Sequence, residues 1–349
     1  MQPDGASAGA VGASAPPLSG VSIEDIVGIR EQTLLEKLVS SQAFWVSVAL
    51  LAIIGLMCYL QPQAFASTAN FYNITRNFAF IGIMAVGMVT VIITGGIDLS
   101  VGSIMGLVGV VCGIILQAGF HWSLALAAGL AAGMATGFVN GLLIAYVGLS
   151  PFVVTLGMLS FARSVAIVLS ENKMIYDFGP YGAPFKAIGG GQFLGLSNPV
   201  WVLILLTILF SVILRLTTWG RHLYSIGGNE QAARLTGVPV DRVKTQAYVI
   251  SGLMAAVAAI LIVGWQGSAI NALGTGYELR VIASTVIGGA NLMGGEGSAY
   301  GAFVGAALLE VIRNSLLMQG IDSNWQGAFV GVFIVLAVLL EKIRGRRRA

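Results

Sequence analysis

Hydrophobic residues along this chain form long, nearly continuous runs that polar segments interrupt at only a few places. A helix of about 20 apolar residues crosses the roughly 30 Å hydrocarbon core of a bilayer, and most of these runs are that long. Backbone groups find no partner in lipid, so a spanning chain is helical or a closed barrel, and these continuous runs lack a barrel's alternating polarity. The pattern predicts an all-α polytopic membrane helix bundle with about ten transmembrane helices. The predicted spans are residues 43–60, 77–94, 101–117, 123–147, 152–169, 198–216, 246–265, 277–293, 299–318 and 326–341.

The most conspicuous polar interruption is Ser225–Lys244, which separates the sixth and seventh runs. Asn229 can cap a helix that starts at Glu230, and Glu230 and Arg234 form an i,i+4 pair on that helix. Gly237 can end the helix in the left-handed conformation. The segment therefore predicts a helix of one or two turns outside the membrane. From composition alone, it is either a docking element or a solvated surface helix.

Lys and Arg concentrate in the N-terminal segment, in this polar loop and at the C-terminal end. Cytoplasmic segments carry an excess of these residues, so all three are predicted to be cytoplasmic. The span count agrees, because six spans precede the loop and four follow it. The predicted organisation is a disordered segment 1–21, a cytoplasmic interfacial helix 22–42, a transmembrane domain 43–341 with a cytoplasmic loop 217–245, and a basic cytoplasmic tail 342–349.

The longest loop on the predicted outer side is 170–197, which is rich in Gly and Pro and carries few charges. Its length suits a docking site for another protein and also a simple extracellular lid. The sequence leaves both interpretations open.

Glycine accounts for 47 of the 349 residues, and many glycines lie four apart inside apolar runs. Gly129, Gly133, Gly137 and Gly141 would share one helix face and let a second helix approach closely. We predict tight packing at this ladder. The sequence does not distinguish static packing from a bundle that repacks during function.

A Gly-Gly pair, an aspartate and two serines interrupt an apolar stretch in the motif TGGIDLSVGS, residues 94–103. Ionisable residues at membrane depth are costly and usually functional, which draws attention to Asp98. Asp98 can cap the following helix, or it can contribute to a pore or its gate. The motif IGGANLMGGEGS at 287–298 partly echoes the first and suggests an internal duplication. The candidate pore or gate residues are Gly95, Gly96, Asp98, Ser100, Asn140 and Asn291.

Three further charges, Arg163, Glu310 and Arg313, lie inside predicted spans. Glu310 and Arg313 are three residues apart on one helix face and can pair. We interpret these residues as a structural ion pair or as side chains that snorkel to the interface, in preference to a substrate site.

The sequence also argues against several kinds of chemistry. It contains no Gly-x-x-x-x-Gly-Lys-Ser/Thr motif for cradling ATP phosphates, and no nucleophile–base pair or metal cluster stands out. Cys58 and Cys112 lie in apolar spans and make no disulfide framework. A net charge of +3 located mainly in loops indicates membrane orientation, not nucleic-acid binding. We expect no catalytic residue, no metal and no cofactor on this chain.

The segment EQAARLTG, residues 230–237, resembles the coupling loop of bacterial ABC importer permeases, which docks in a groove of the ATP-binding subunit. The longer stretch GGNEQAARLTGVPVDRVK and the motif GGIDLSVGS resemble the ribose-type sugar permeases in particular. The resemblance covers about residues 43–341. It implies an ATPase-coupling role for the short helix and its flanks, namely for Asn229, Glu230, Ala232, Ala233, Arg234 and Gly237.

The resemblance implies a permease subunit of a binding-protein-dependent importer in the bacterial inner membrane, which translocates a monosaccharide or a related small polyol. It further implies a cytoplasmic ATPase that carries ATP and Mg²⁺, a periplasmic sugar-binding protein, and a second permease chain, identical or different. Two alternatives stay open at this point. One is a stand-alone secondary transporter, and the other is a branched-chain amino-acid ABC permease of the same superfamily.

Overall fold

The structure, a computed structural model, describes residues 41–321, 325, 327–328 and 331–332. The described chain is almost entirely helical, and its one sheet is a two-stranded antiparallel hairpin that pairs Gln192 with Ser197. The helices and strands are α1 Gln42–Leu60, α2 Pro62–Phe65, α3 Thr68–Ile93, α4 Val101–Gln117, α5 Trp122–Ala145, α6 Pro151–Leu169, a 3₁₀ turn Gly179–Tyr181, α7 Gly182–Gly190, β1 Gln192–Phe193, β2 Leu196–Ser197, α8 Asn198–Leu216, α9 Thr218–Gly228, α10 Glu230–Leu235, α11 Val240–Gln266, α12 Tyr277–Ile287 and α13 Ala299–Met318.

Within the described residues, seven helices are long and apolar enough to cross a membrane, namely α1, α3, α5, α6, α8, α11 and α13. The helix α4 is apolar but has only 17 residues. The first nine predicted spans each fall on a helix, which confirms the all-α polytopic bundle. The described residues do not include most of the tenth predicted span or the tail 342–349. They also do not include the predicted segment 1–21 or residues 22–40 of the predicted segment 22–42.

Three helices differ in extent from the predicted spans. The helix α3 starts at Thr68 and not at 77, because the Ser67 hydroxyl accepts the backbone N–H of Asn70 and caps it there. The helix α11 starts at Val240, directly after Pro239, and not at 246. The helix α12 stops at Ile287 and not at 293, because Gly289 has a φ of +100°.

Consequently, the eighth crossing is only half helical. The helix α12 has 11 residues, about 16 Å, which is too short to cross alone. The non-helical segment before it packs along α4. A Cβ added at Gly113 would lie 2.9 Å from Ala269, one at Gly109 would lie 3.5 Å from Leu273, and one at Gly102 would overlap the Gly274 carbonyl. Backbone of this kind is tolerated at membrane depth only where protein covers it.

The core centres on α3. Its most apolar stretch is 89% buried inside the chain, against 17% for α1. The helices α8, α11, α12 and α13 all pack on α3. A helix that is apolar all round is suited to this central position, because every face can lie against another helix.

The predicted glycine ladder on α5 packs directly on α11. A Cβ added at Gly133 would lie 2.5 Å from the Gly252 carbonyl oxygen, and one at Gly137 would overlap the Tyr248 carbonyl. A Cβ at Gly141 would lie 2.7 Å from the Cα of Thr245. The two backbones are therefore in contact, as the four-residue spacing predicted.

We expect Gly137→Ala to lower the free energy of unfolding by about 1–3 kcal/mol, because the added methyl group must displace the backbone of α11. Gly157→Ala on α6 is the matched control, since no atom of the residues that the structure describes lies within 4 Å of its added Cβ. The control is expected to be neutral or slightly stabilising, because alanine is the better helix former. Thermal unfolding of the purified variants measures both effects, and equal melting temperatures would contradict the contact.

The loop 170–197 is structured and packs on the end of α11. It contains the 3₁₀ turn, α7 and the hairpin, and Phe185 on α7 is fully buried. A Cβ at Gly189 would overlap the Leu261 carbonyl, and Ile175 forms an antiparallel bridge with Ala269. The loop is thus continuous with the bundle, and its docking role stays a prediction.

Candidate functional site

The short helix α10 forms as its sequence predicts. The Asn229 side-chain oxygen accepts the backbone N–H of Ala232 at 3.0 Å and caps the first turn. The backbone N–H of Val238 donates to the carbonyl of Ala233 at 3.0 Å. Gly237 has a φ of +84°, a conformation that costs other residues energy, and it turns the chain towards α11.

Four charged side chains tie α10 to the first turns of α11. Glu230 accepts hydrogen bonds from Lys244 at 2.5 Å and from Arg234 at 3.2 Å. Arg234 also donates to both carboxylate oxygens of Asp241, one of them at 3.1 Å. Single exposed ion pairs contribute about 0–1 kcal/mol each. Together, these four fix the orientation of α10 relative to α11.

The same contacts set the pKa values of the charged groups on α10. Partial burial opposes ionisation of Glu230, but the hydrogen bonds and charges of Lys244 and Arg234 outweigh it and hold the pKa of Glu230 below its ordinary value. The pKa of Arg234 is raised in turn by its hydrogen bonds to Asp241 and Glu230. Both groups are therefore charged at neutral pH, and the ion pairs are complete.

The ordering of α10 is therefore expected to depend on pH. A carboxylate with a lowered folded pKa stabilises the fold above its unfolded pKa, and this contribution is lost as the pH falls through the folded value. A spin label at Leu235→Cys, with Cys58 replaced, should keep constant mobility from neutral pH down to about 4.5 and become more mobile below it.

The same label in a Glu230→Gln background should be more mobile already at neutral pH. This control isolates the carboxylate, since glutamine keeps the shape of the side chain. A label whose mobility stays constant into strong acid would contradict the ion-pair account.

One residue on α10 was not singled out by the sequence. Leu235 is 89% exposed, whereas Ala233 is only 2% exposed and faces the bundle. Two residues apart on a helix, the two side chains point in roughly opposite directions. A large apolar side chain is thus presented outwards at the end of a short, ion-paired helix.

Three glycine motifs meet at one junction, directly before α10. They are TGGIDLSVGS, IGGANLMGGEGS and the pair Gly227–Gly228 at the end of α9. The backbone N–H of Gly295 donates to the Ile93 carbonyl at 2.9 Å. A Cβ at Gly294 would lie 3.0 Å from both the Cα of Gly227 and the amide nitrogen of Gly95, and one at Gly227 would overlap the Ile93 carbonyl. The helix α9, which leads into α10, therefore touches the ends of both membrane motifs.

A second contact holds α9 at this junction. The Tyr224 hydroxyl donates to the Gly297 carbonyl at 2.7 Å, and Leu223 and Ile226 of α9 are buried. Displacement of α9 would therefore act directly on the loop 288–298 and on the end of α3.

Asp98 is fully buried at the turn between α3 and α4. Its Oδ1 accepts the backbone N–H of Ser100 at 2.9 Å and the Ser100 hydroxyl at 2.5 Å. Its Oδ2 accepts the Ser251 hydroxyl from α11 at 2.8 Å. Asn140 on α5 donates its amide to the Ser100 oxygen at 2.9 Å. This polar cluster links the turn to two neighbouring helices.

Dipoles of uncharged groups stabilise the Asp98 carboxylate. Within the part of the chain that the structure describes, no ion pair includes Asp98, and its contacts are hydroxyl and amide donors. The helix α4 begins at Val101, so its positive N-terminal end favours a negative group at the turn. Among the described residues, the buried Asn140 oxygen has no hydrogen-bond partner. Such a group is costly and would gain from a rearrangement that supplied a donor.

The structure brings some predicted pore residues together and separates another. Ser100 and Asn140 share the Asp98 cluster and are 0% exposed, so neither lines an open path in this conformation. Gly96 lies two residues before Asp98 on the same turn, and a Cβ there would be 2.5 Å from the Tyr248 hydroxyl. Asn291 is apart, where its side chain accepts the backbone N–H of Met293 at 2.7 Å and shapes its own loop. The pore role of these residues stays a prediction.

The charged residues predicted within spans all have partners. The Arg313 Nε donates to Glu310 at 2.7 Å, and Glu310 is only 3% exposed. Arg163 donates to the carbonyls of Asn271 and Leu273, the latter at 2.9 Å. Arg163 lies on α6 and also donates to the Gly102 carbonyl of α4 at 3.4 Å, so it ties the non-helical segment before α12 to both helices. Among the described residues, no group of three or more His, Cys, Asp or Glu side chains gathers to hold a metal ion.

The sequence matches the family model described as branched-chain amino acid transport system / permease component over residues 70–338. The match covers most of the chain, so the protein belongs to this family of ABC transporter permeases and is a multi-pass inner-membrane permease subunit.

Within the family the chain is of the ribose type. It is 38% identical to the ribose import permease protein RbsC of Bacillus subtilis (strain 168), over 84% of this chain and 91% of the relative. RbsC of Escherichia coli (strain K12) is also 38% identical, over 84% of this chain and 92% of the relative. The L-arabinose transport system permease protein AraH of Escherichia coli (strain K12) is 33% identical, over 85% of this chain and 90% of the relative. These matches confirm the resemblance that the motifs indicated.

One solved structure, an inward-facing metal-chelate type ABC transporter, aligns over 86% of this chain and 98% of its own. Its identity is 16% and its TM-score is 0.49. So distant a likeness carries no information about the residues of the site.

Proposed function

We propose that this chain is the permease subunit of a binding-protein-dependent ABC importer that carries a monosaccharide or a related small polyol inward, driven by ATP hydrolysis on a separate cytoplasmic subunit. The capped helix α10, ion-paired to α11 and reaching the membrane motifs through α9, is the observation that carries the proposal. The relatives support the substrate class, since their names describe import of ribose and transport of L-arabinose.

The coupling step begins at α10. Leu235, the exposed residue of this helix, enters a groove of the ATPase, and Asn229, Glu230 and Arg234 keep the helix in shape. Ala232 is exposed and small, so it lets the helix seat closely, whereas the small Ala233 lets α10 pack on its own bundle. ATP and Mg²⁺ bind to the partner ATPase, and closure of that subunit moves α10.

The movement then passes into the membrane along two routes. The ion pairs of Glu230 and Arg234 connect α10 to α11, which carries Ser251 of the Asp98 cluster. The helix α9 carries motion to the junction of Gly227, Gly95 and Gly294. At this junction backbones touch without intervening side chains, so a small displacement cannot be absorbed by rotamer changes. The turn that holds Asp98 is accordingly the element that opens the substrate path to one side of the membrane or to the other.

Three partners complete the proposed transporter. A periplasmic sugar-binding protein delivers the substrate to the outer face, and a cytoplasmic ATPase engages α10. A second permease chain, identical or different, forms the other half of the pore. The N-terminal and C-terminal ends lie on the cytoplasmic side together with α10, as the distribution of Lys and Arg indicates.

Reconstitution tests the function directly. The permease is placed in proteoliposomes with its ATPase and its binding protein, and uptake of labelled ribose, arabinose, ribitol and leucine is measured. We expect uptake of a sugar or polyol that requires both ATP and the binding protein. Uptake without the ATPase, driven by an ion gradient alone, would indicate a secondary transporter. Uptake of leucine in preference to sugars would indicate an amino-acid permease.

A further inference from the structure

A polar cavity of about 240 Å³ lies between α3, α11, α12 and α13, at the end of the bundle opposite α10. The cavity includes Trp265 and Gln266, the last two residues of α11, while α10 precedes the first residue of that helix. About 25 residues of helix separate the two sites, a distance of roughly 38 Å. Its lining is Asn77, Phe80, Ile81, Ile262, Trp265, Gln266, Tyr277, Arg280, Glu310 and Arg313.

Three charged residues line the cavity inside the membrane-spanning helices. Glu310 and Arg313 lie eight and five residues before the end of α13, about 12 and 8 Å inside it. Arg280 lies one turn inside α12. Charged side chains within spans face a bundle interior or a water-filled cavity, since lipid solvates them poorly. The cavity is therefore a polar environment within the membrane-spanning part of the chain.

The chemistry of the lining suits a neutral polyhydroxy compound. No hydrogen bond involves the side-chain amide of Asn77 or Gln266 within the described chain, and each amide both donates and accepts, as hydroxyl groups do. Trp265 and Tyr277 add aromatic surface to the lining, on which the apolar face of a sugar ring can lie. One face of each ring is near a guanidinium group, that of Arg76 at 4.0 Å from the Trp265 ring centre and that of Arg280 at 5.7 Å from the Tyr277 ring centre, so the opposite face is the one that a ligand would use. The volume equals that of roughly eight liquid water molecules, which suits a ligand of monosaccharide size.

Trp265 is held in place before any ligand arrives. The Arg76 guanidinium carbon lies 4.0 Å from the centre of the Trp265 ring, and the Phe80 ring lies 6.0 Å from it. A fixed aromatic platform loses little conformational entropy when a ligand stacks on it.

The ion pair in the cavity argues against an amino-acid ligand. An ammonium group needs an uncommitted anion. Glu310 is the only carboxylate among the described residues that line the cavity, and it already accepts two hydrogen bonds from Arg313. Hydroxyl groups can add to this pair without breaking it, because each carboxylate oxygen keeps a free lone pair.

We propose that this cavity is the intramembrane binding site for the transported sugar or polyol, with Trp265 as the stacking platform and Asn77 and Gln266 as hydroxyl-binding groups. The assignment rests on the proposed function and names the place where the substrate is held after release from the binding protein. The sequence favoured a structural ion pair of Glu310 and Arg313 over a substrate site; the pair is present, and the proposal adds a place in the substrate site to it.

Direct binding tests the site without partner proteins. Tryptophan fluorescence of the purified permease is titrated with D-ribose, L-arabinose and ribitol at millimolar concentrations. We expect a saturable change that a Trp265→Phe variant loses and a Trp201→Phe variant keeps. The double variant Asn77→Ala/Gln266→Ala should bind roughly tenfold more weakly, because two hydrogen-bonding groups are removed. Gln117→Ala, an exposed glutamine at the end of α4, is the matched control and should bind as the wild type does.

The double variant is expected to fold, because Gln266 is exposed. Within the residues that the structure describes, the side-chain amides of Asn77 and Gln266 make no hydrogen bond that the substitutions would break. Absence of a saturable change in the wild type, or equal affinity in the double variant, would overturn the assignment. Uptake by the reconstituted complex separates the two proposals. If the wild-type complex imports sugar and the double variant does so at an equal rate, only the cavity assignment fails. If the wild-type complex imports no sugar, the proposed function fails.

Discussion

Substituting Asp98 by alanine is expected to destabilise the bundle by several kcal/mol and to abolish transport. The change removes the acceptor of three hydrogen bonds from Ser100 and Ser251 in a fully buried cluster. Each buried polar group left without a partner costs about 1–3 kcal/mol. The whole free energy of unfolding of a domain is about 5–15 kcal/mol, so the loss is a large share of it. Yield after membrane extraction and thermal unfolding measure the effect.

Asp98→Asn separates the structural role from a role of the negative charge. Asparagine keeps one acceptor oxygen, and the Ser251 hydroxyl can rotate to accept from its amide, so the variant should fold with a smaller loss of stability. If the charge at the N-terminus of α4 matters for switching, this variant folds and still transports poorly. Asp177→Ala in the outer loop is the matched control, because Asp177 is exposed. A near-normal melting temperature for Asp98→Ala would contradict the cluster.

Leu235→Glu is expected to leave the fold intact and to reduce ATPase association and ATP-driven uptake at least roughly tenfold. The side chain is 89% exposed, so its replacement removes almost no packing within the chain. In the assembled transporter it would instead bury an unpaired charge, which typically costs several kcal/mol. Co-purification with the ATPase and uptake in proteoliposomes measure the two effects, with thermal unfolding of the isolated permease as the check on folding.

Leu194→Glu is the matched control for the coupling surface. Leu194 is also exposed, at 76%, but it lies in the hairpin turn between β1 and β2, away from α10. This variant should co-purify with the ATPase at the normal yield. Glu230→Arg would be harder to interpret, because it places a third cation beside Arg234 and Lys244 and disturbs α10 itself. Normal co-purification of Leu235→Glu would remove α10 from the coupling mechanism.

The coupling helix could be predicted from the sequence because its determinants are local. The cap at Asn229, the i,i+4 pair of Glu230 with Arg234 and the left-handed Gly237 all act within a short stretch of chain. The outward position of Leu235 was not predicted, since it depends on which side of α10 faces the bundle. The glycine ladder on α5 was predicted from spacing, but its partner α11 was not.

The Asp98 cluster shows more clearly what could not be predicted from the sequence. The motif indicated Asp98 and Ser100, but Ser251 lies 153 residues away, in a helix whose apolar sequence gives no sign of this contact. The early end of α12 at Ile287 was also missed, because the apolar run continues past the residue where backbone geometry breaks the helix.

The sequence by itself determined the membrane-spanning helices, the position of the polar loop and the family, because hydrophobic length, local caps and motifs are properties of neighbouring residues. Only the tertiary structure decided that three glycine motifs meet before α10, that Asn140 and Ser251 complete the Asp98 cluster, and that a polar cavity forms at Trp265. These features arise where helices distant in sequence pack together. Lipid imposes the helices one by one, but side-chain packing and buried hydrogen bonds select which faces meet.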